Sequence, residues 1–171
     1  FLYLYPVTFQ EFLNAGGRGE IQQVLGGIRW GAGVSPALHE AASALFSEYM
    51  YLGGMPEVLK RYLEDRSFLP LPAVKEALVT AFEEDVPKYA RSSLVAPIQL
   101  LVRQAQLFAG QRIQYANFAD SGLRSREMRD AFDMLEQAMV IQRVAGTPQT
   151  AVPPHPNFRV APKLLYLDTG L

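Results

Sequence analysis

The sequence predicts a mainly α-helical chain in two parts, residues 1–92 and 93–171, the second closing on a short β-hairpin. Apolar residues recur three and four apart through most of the 171 residues, the spacing of amphipathic helices. Ser, Thr or Pro precedes these runs and Gly follows them, which is the chemistry of helix starts and stops. After Pro97 the runs shorten and two stretches alternate with a period of two, as half-buried strands do.

Thr8 is positioned to cap a helix carrying Phe9, Phe12 and Leu13, which Gly16 and Gly17 end. The Gly-rich stretch to Val34 is predicted to be irregular. Ser35 and Pro36 open a helix whose face is Leu38, Ala41, Ala42, Leu45, Phe46, Tyr49 and Leu52. Gly53-Gly54 closes it, and Pro56 opens the next with Val58, Leu59, Tyr62 and Leu63 inward. A further helix from about Pro72 sets Val74, Leu78, Ala81, Phe82, Val86 and Tyr89 on its core face. Glu83, Glu84 and Asp85 cross its polar side. Neighbours in sequence do not face each other on a helix, so these carboxylates are solvated rather than paired for chemistry.

From Pro97, Ile98, Leu101, Val102, Ala105 and Phe108 form one helix that Gly110 ends, and Arg112–Gln114 reads as a short strand. Tyr115–Ser121 is a short helix stopped by Gly122. Ser125 caps a longer one bearing Met128, Ala131, Phe132, Leu135 and Met139. Val140–Val144 and Leu164–Leu167 are strands joined by the Pro-rich loop Thr147–Pro162. The order helix, strand, helix, turn, helix, hairpin is that of a winged helix.

Composition narrows the function. At 49% hydrophobic the chain buries a core and is not disordered, and its net charge of −1 rules out a surface that is electrostatically basic throughout. There is no cysteine, hence no disulfide framework and no thiolate metal site, which fits a cytoplasmic protein. Phe1–Tyr5 is apolar but too short for a membrane span and lacks a basic region before it, so no membrane partner is expected. Both ends read as cut within a longer chain. His39 and His155 are the only histidines and lie too far apart in sequence to suggest a metal pair or a nucleophile relay.

Four segments in order carry a family resemblance. Tyr5-Pro6-Val7-Thr8-Phe9-Gln10-Glu11-Phe12-Leu13 is similar to a Pro-Leu-Ser-Phe-x-Glu-Phe segment, with Val7 and Thr8 as departures. Leu52-Gly53-Gly54-Met55-Pro56-Glu57-Val58 is similar to a Gly-Gly-x-Pro-Glu lid motif. Glu84-Asp85-Val86 stands where Arg-Asp-Ile is usual, departing at Glu84. Lys163–Leu171 is similar to Lys-Leu-Tyr-Phe-x-Asp-x-Gly-Leu with one residue of slack. Together they resemble a prokaryotic family of AAA-type ATPases that carry a C-terminal domain of unknown function.

The resemblance implies that residues 1–92 are the helical lid region and 93–171 the winged-helix domain. No Gly-x-x-x-x-Gly-Lys-Ser/Thr phosphate loop occurs in the chain. An N-terminal ATPase core of the same protein would therefore supply the phosphate loop and the Mg²⁺-binding carboxylate. ATP and Mg²⁺ belong to that full-length parent, and this chain alone requires no cofactor and is not catalytic. In related ATPases the proline of the lid motif packs on the nucleotide base, which makes Gly54 and Pro56 the candidate nucleotide contacts. A proline ring is a rigid apolar plate, and glycine lets backbone approach closely. The same Gly-Gly-x-Pro also reads as a plain helix hinge.

Arg124, Arg126 and Arg129 open the second helix of the helix–turn–helix and are candidate contacts to DNA, with Arg112 and Arg143 nearby. Residues 97–146 hold six Lys and Arg against five Asp and Glu, a balance that favours packing on protein over duplex binding. The expected function is to close over ATP and relay nucleotide state to partners or DNA. A second copy of the chain is another candidate partner. The alternative is a free-standing winged-helix DNA-binding or regulatory adaptor with no nucleotide site. Trp30 is read as an anchor onto a neighbouring core, and Asp168 as organising its own turn.

Overall fold

A computed structural model describes residues 5–29, 31–150, 152–166 and 168–171; the readings placed on Phe1–Leu4, Trp30 and Leu167 lie outside them. The described chain is mainly helical, with seven α-helices and one two-stranded antiparallel sheet. Contacts divide it into two units, Phe1–Glu76 with Asp168–Leu171, and Ala77–Leu167. The division falls inside a helix, upstream of the expected boundary at 92, and returns the last four residues to the first unit.

In the first unit, α1 (Phe9–Ala15) starts at a capping box. The Thr8 N–H donates to Glu11 Oε2 at 2.8 Å and the Glu11 N–H to Thr8 Oγ1 at 3.3 Å. The Thr8 N–H, and then the Thr8 hydroxyl, which donates to the same Oε2 at 2.8 Å, hold the Glu11 carboxyl below its ordinary pKa. The stretch expected to be irregular contains α2 (Gly19–Gly26). Its glycines sit at the two ends, while Glu20, Gln22, Gln23 and Leu25 between them are good helix formers.

Ser35 caps α3 (Pro36–Leu52), accepting the Leu38 N–H, and Pro36 occupies the first turn as expected. Only Leu52 of α3 is buried; Ala41 is exposed and Phe46 is 46% exposed. Phe46 instead meets Phe9 of α1 edge-on at 5.2 Å between ring centroids, and Tyr49 packs at a tilt on Phe12 at 5.7 Å. α4 (Pro56–Asp65) buries Val58, Leu59 and Tyr62 and ends at Arg66 in the left-handed region. With Phe12, Leu13, Leu52 and Leu71 these residues form the unit's core.

α5 (Leu71–Tyr89) spans the division. In the second unit its Val86 joins a core built from α6 (Ser92–Gln104) and α7 (Ser125–Gln137). Tyr89, expected in that core, is 79% exposed. α6 begins a turn before Pro97, because Leu94 and Val95 pack on the core and hold that turn upstream of the proline. Ile98, Leu101, Val102 and Ala105 face Met128, Ala131, Phe132 and Leu135 of α7 in one buried cluster.

Two expectations between these helices need correction. Arg112–Gln114 is not a strand: it makes one bridge, Arg112 to Lys163, and the Ile113 N–H donates to Pro162 O at 3.0 Å. Tyr115–Ser121 is not an α-helix but contains a 3₁₀ turn, Phe118–Asp120, with Asn117, Ala119 and Asp120 at positive φ. Phe118 is pulled into the core between Phe108 and Phe132, at 4.6 and 5.2 Å between centroids, and this packing outweighs regular hydrogen bonding. Arg124, not Ser125, is the N-cap of α7.

β1 (Ile141–Val144) pairs antiparallel with β2 (Lys163–Tyr166), Ile141 opposite Tyr166 and Arg143 opposite Leu164. Ile141 and Leu164 point into the core, as the alternation predicts. The loop between the strands is closed at its base by Asn157 N–H donating to Gly146 O at 2.7 Å. Among the described residues, no helix is long and apolar enough to cross a membrane.

Candidate functional site

Three backbone segments far apart in sequence meet at the turn between α3 and α4. Gly53 leaves α3 at φ 77°, a conformation that favours glycine. A Cβ there would lie 2.6 Å from the Gly170 nitrogen and clash with Asp168 Oδ1. A Cβ on Gly54 would lie 2.8 Å from the Val7 nitrogen and 2.9 Å from Pro6 Cβ, and one on Gly170 would strike the Leu52 carbonyl. Glycine at all three positions is what lets the segments cross.

Hydrogen bonds fix the crossing. The Val7 N–H donates to Gly54 O at 2.8 Å, and the Tyr49 hydroxyl donates to Val7 O at 2.7 Å. The Asp168 carboxylate, only 6% exposed, accepts the Gly54 N–H at 2.5 Å and the Gly170 N–H at 2.9 Å. Burial, then the charges of Asp168 and Glu11, push the Tyr49 phenol above its ordinary pKa, so it stays a donor. Lys75 lies 4.6 Å over the Tyr51 ring and donates to Tyr51 O at 2.6 Å. Burial lowers its pKa, partly offset by Asp168.

Gly54 is therefore buried, with its Cα face against Pro6 and Val7, whereas Pro56 is exposed at the first turn of α4. Asp168 does organise its own turn through Gly170. Its second bond, to Gly54, was not read from the sequence, and the Asp-x-Gly pattern after the last strand is the signal that could have drawn attention to it.

The second group of candidates lies in the other unit. Arg124, Arg126 and Arg129 are all exposed at the start of α7. The Arg129 guanidinium stands 5.1 Å over the Tyr115 ring, and among the described residues no carboxylate lies within ion-pairing distance of it. Arg143, expected to be available to phosphates, is instead consumed within the protein. Its Nε donates to Glu136 Oε2 at 2.9 Å and Nη1 to the Tyr115 hydroxyl at 3.1 Å, while Nη2 pairs with Asp133 at 2.5 Å and with Glu136. Burial pulls the Arg143 pKa down, but these partners outweigh it and hold the guanidinium more firmly charged than usual. His39 sits on α3 and His155 in the β1–β2 loop.

Residues 43–171 match the family model described as Domain of unknown function (DUF8612), a span that includes the glycine turn, α7 and Asp168 but not Val7. No curated protein and no solved structure matches the chain.

Proposed function

The chain belongs to the family described as Domain of unknown function (DUF8612). From the glycine turn and the segments that meet there we propose that it is the lid and winged-helix portion of a prokaryotic AAA-type ATPase. The observation that carries this reading is the convergence of three of the four resembling segments. The Pro6-Val7, Gly53-Gly54 and Asp168–Gly170 segments bond to one another through Val7, Gly54 and Asp168. Residues that share one hydrogen-bonded knot have a common physical reason to occur together in a sequence.

In this reading Gly54 supplies the close-packed turn and Pro56 the apolar plate. The knot holds the turn in a fixed conformation, so an ATP base meeting the exposed Pro56 ring finds it preorganised. A lid that contacts nucleotide in only one conformation shifts the equilibrium toward it. The ATPase core of the same protein supplies the phosphate loop and Mg²⁺, and the lid conveys closure to the second unit.

That second unit is proposed to be a winged helix. What supports the reading is that α6, α7 and the β1–β2 hairpin keep the sequence order of such a fold, with a 3₁₀ turn where its middle helix was expected and a single Arg112–Lys163 bridge where its first strand was expected.

The test is calorimetric titration of ATP into the full-length protein, wild type and Pro56→Ala. Alanine at a first helical turn spares the fold, so the expected result is weaker ATP binding with unchanged melting. Unchanged affinity makes the motif a hinge only, and a reading frame without a phosphate loop upstream of Phe1 overturns the ATPase assignment. This chain by itself is expected to show no ATP turnover, because phosphate and Mg²⁺ contacts dominate nucleotide affinity.

A further inference from the structure

We propose that the cleft between α7, β1 and the β1–β2 loop binds a nucleotide unit of single-stranded nucleic acid, a base stacking on Phe158 and a phosphate meeting Arg129. The cleft lies wholly in the second unit, so the proposal stands apart from the ATP-lid reading. It encloses about 420 Å³ and is lined by Tyr115, Arg129, Glu136, Arg143 and Phe158, among others.

The charges in the cleft do not act equally. Arg143 and Glu136 neutralise each other, and Asp133 adds a second carboxylate to the same guanidinium. Their joint effect is structural: Arg143 holds the Tyr115 hydroxyl, and Phe132 meets the Tyr115 ring edge-on at 5.5 Å. The fixed ring in turn supports the Arg129 guanidinium, which no carboxylate among the described residues pairs. Its N–H donors are left for an anion from outside.

Phe158 supplies the other half of the chemistry. It is 85% exposed, and its loop is tethered. Asn157 bridges to Gly146, and its side-chain oxygen accepts the Arg159 N–H at 3.0 Å. A ring held at the rim of a cleft that also presents a free guanidinium fits a ligand with one flat π face and one anionic group. A nucleotide is that ligand, and aromatic stacking beside a cation is the general chemistry of single-strand binding.

A single strand is favoured over a duplex for two reasons. A base must be unstacked from its neighbours to lie on Phe158. In addition, Glu127, Asp130, Asp133 and Glu136 interleave with the arginines of α7, so the helix as a whole does not offer the phosphate neutralisation on which duplex affinity rests.

The experiment measures fluorescence anisotropy of a labelled oligodeoxythymidylate with the full chain, across a range of salt. Comparison proteins are Phe158→Ala, Phe158→Trp and Arg129→Gln, all at exposed positions, with folding checked by circular dichroism. Phe158→Ala is expected to weaken binding about tenfold, the effect of losing one stacking contact, and Phe158→Trp to restore it. Arg129→Gln is expected to lower the log–log salt slope by about 0.7, one phosphate contact to a single strand. Displacement by thymidine monophosphate assigns the site to a free nucleotide, and failure to displace assigns it to a strand. The proposal is overturned if the oligonucleotide does not bind at low salt, if a duplex binds as tightly, or if neither Phe158→Ala nor Arg129→Gln changes binding.

Discussion

Replacing Asp168 with alanine removes the acceptor of two hydrogen bonds at once, and the structure sets the size of the effect. A hydrogen bond to a charged group contributes about 1.5–3 kcal/mol, and a buried donor left without a partner keeps its full desolvation penalty. Gly54 is buried, so its N–H is orphaned; Gly170 is partly exposed, so water replaces most of what its N–H loses. The expected cost to the first unit is therefore about 2–4 kcal/mol rather than the sum of two full bonds. Native-state hydrogen exchange of the peptide spanning the glycine turn reads this directly. In the fast-reclosing regime that range corresponds to about 30- to 1,000-fold faster exchange, with α6 peptides unchanged as the internal control. Asp168→Asn keeps one acceptor and should fall between wild type and alanine. An acceleration below about threefold in Asp168→Ala would refute the reasoning, since the carboxylate would then not be what holds the turn.

Two further outcomes follow from geometry and burial. Gly54→Ala should destabilise the first unit by about 1–3 kcal/mol through backbone overpacking, whereas Gly26→Ala, in open space at the end of α2, should be neutral or stabilising in the same thermal melts. Tyr166, whose hydroxyl donates to Val102 O at 3.1 Å, is pushed by burial up to a pKa of about 12. Because the folded value is the raised one, its contribution to stability is intact below the unfolded phenol pKa of about 10 and is lost as pH rises toward the folded value. Ultraviolet titration should lose its most alkaline tyrosinate step in Tyr166→Phe, and retention of that step would disprove the assignment.

What the sequence disclosed is what local chemistry determines. The Thr8 cap, the Ser35-Pro36 start, the Gly53–Pro56 break and the face Met128, Ala131, Phe132 and Leu135 of α7 are each set by residues within a few positions of one another and are found where the pattern places them, whereas Met139, expected on that face, lies beyond the end of α7 at positive φ. α2 was obscured because flanking glycines outweighed the helix formers between them. The 3₁₀ turn at Phe118 was obscured because distant aromatic rings, not local propensity, fix its backbone. In the candidate site the glycines and Pro56 were legible as types, but not that Asp168 would reach Gly54 across 114 residues. Likewise, the quenching of Arg143 depends on how β1 lies against α7, which no spacing along the chain encodes.

The return of Asp168–Leu171 to the first unit makes the second unit a long insertion within it. During synthesis the Gly54 amide waits for a carboxylate 114 residues further along the chain, and everything from Ala77 to Leu167 emerges in between. Closing a flexible loop of that length carries an entropic cost of about 4 kcal/mol, so early knotting is disfavoured. If the inserted unit collapses first, the effective loop shortens and the knot can form. The insertion then serves as a folding clasp: the Gly-Gly turn becomes rigid only after the hairpin that precedes Asp168 has been made.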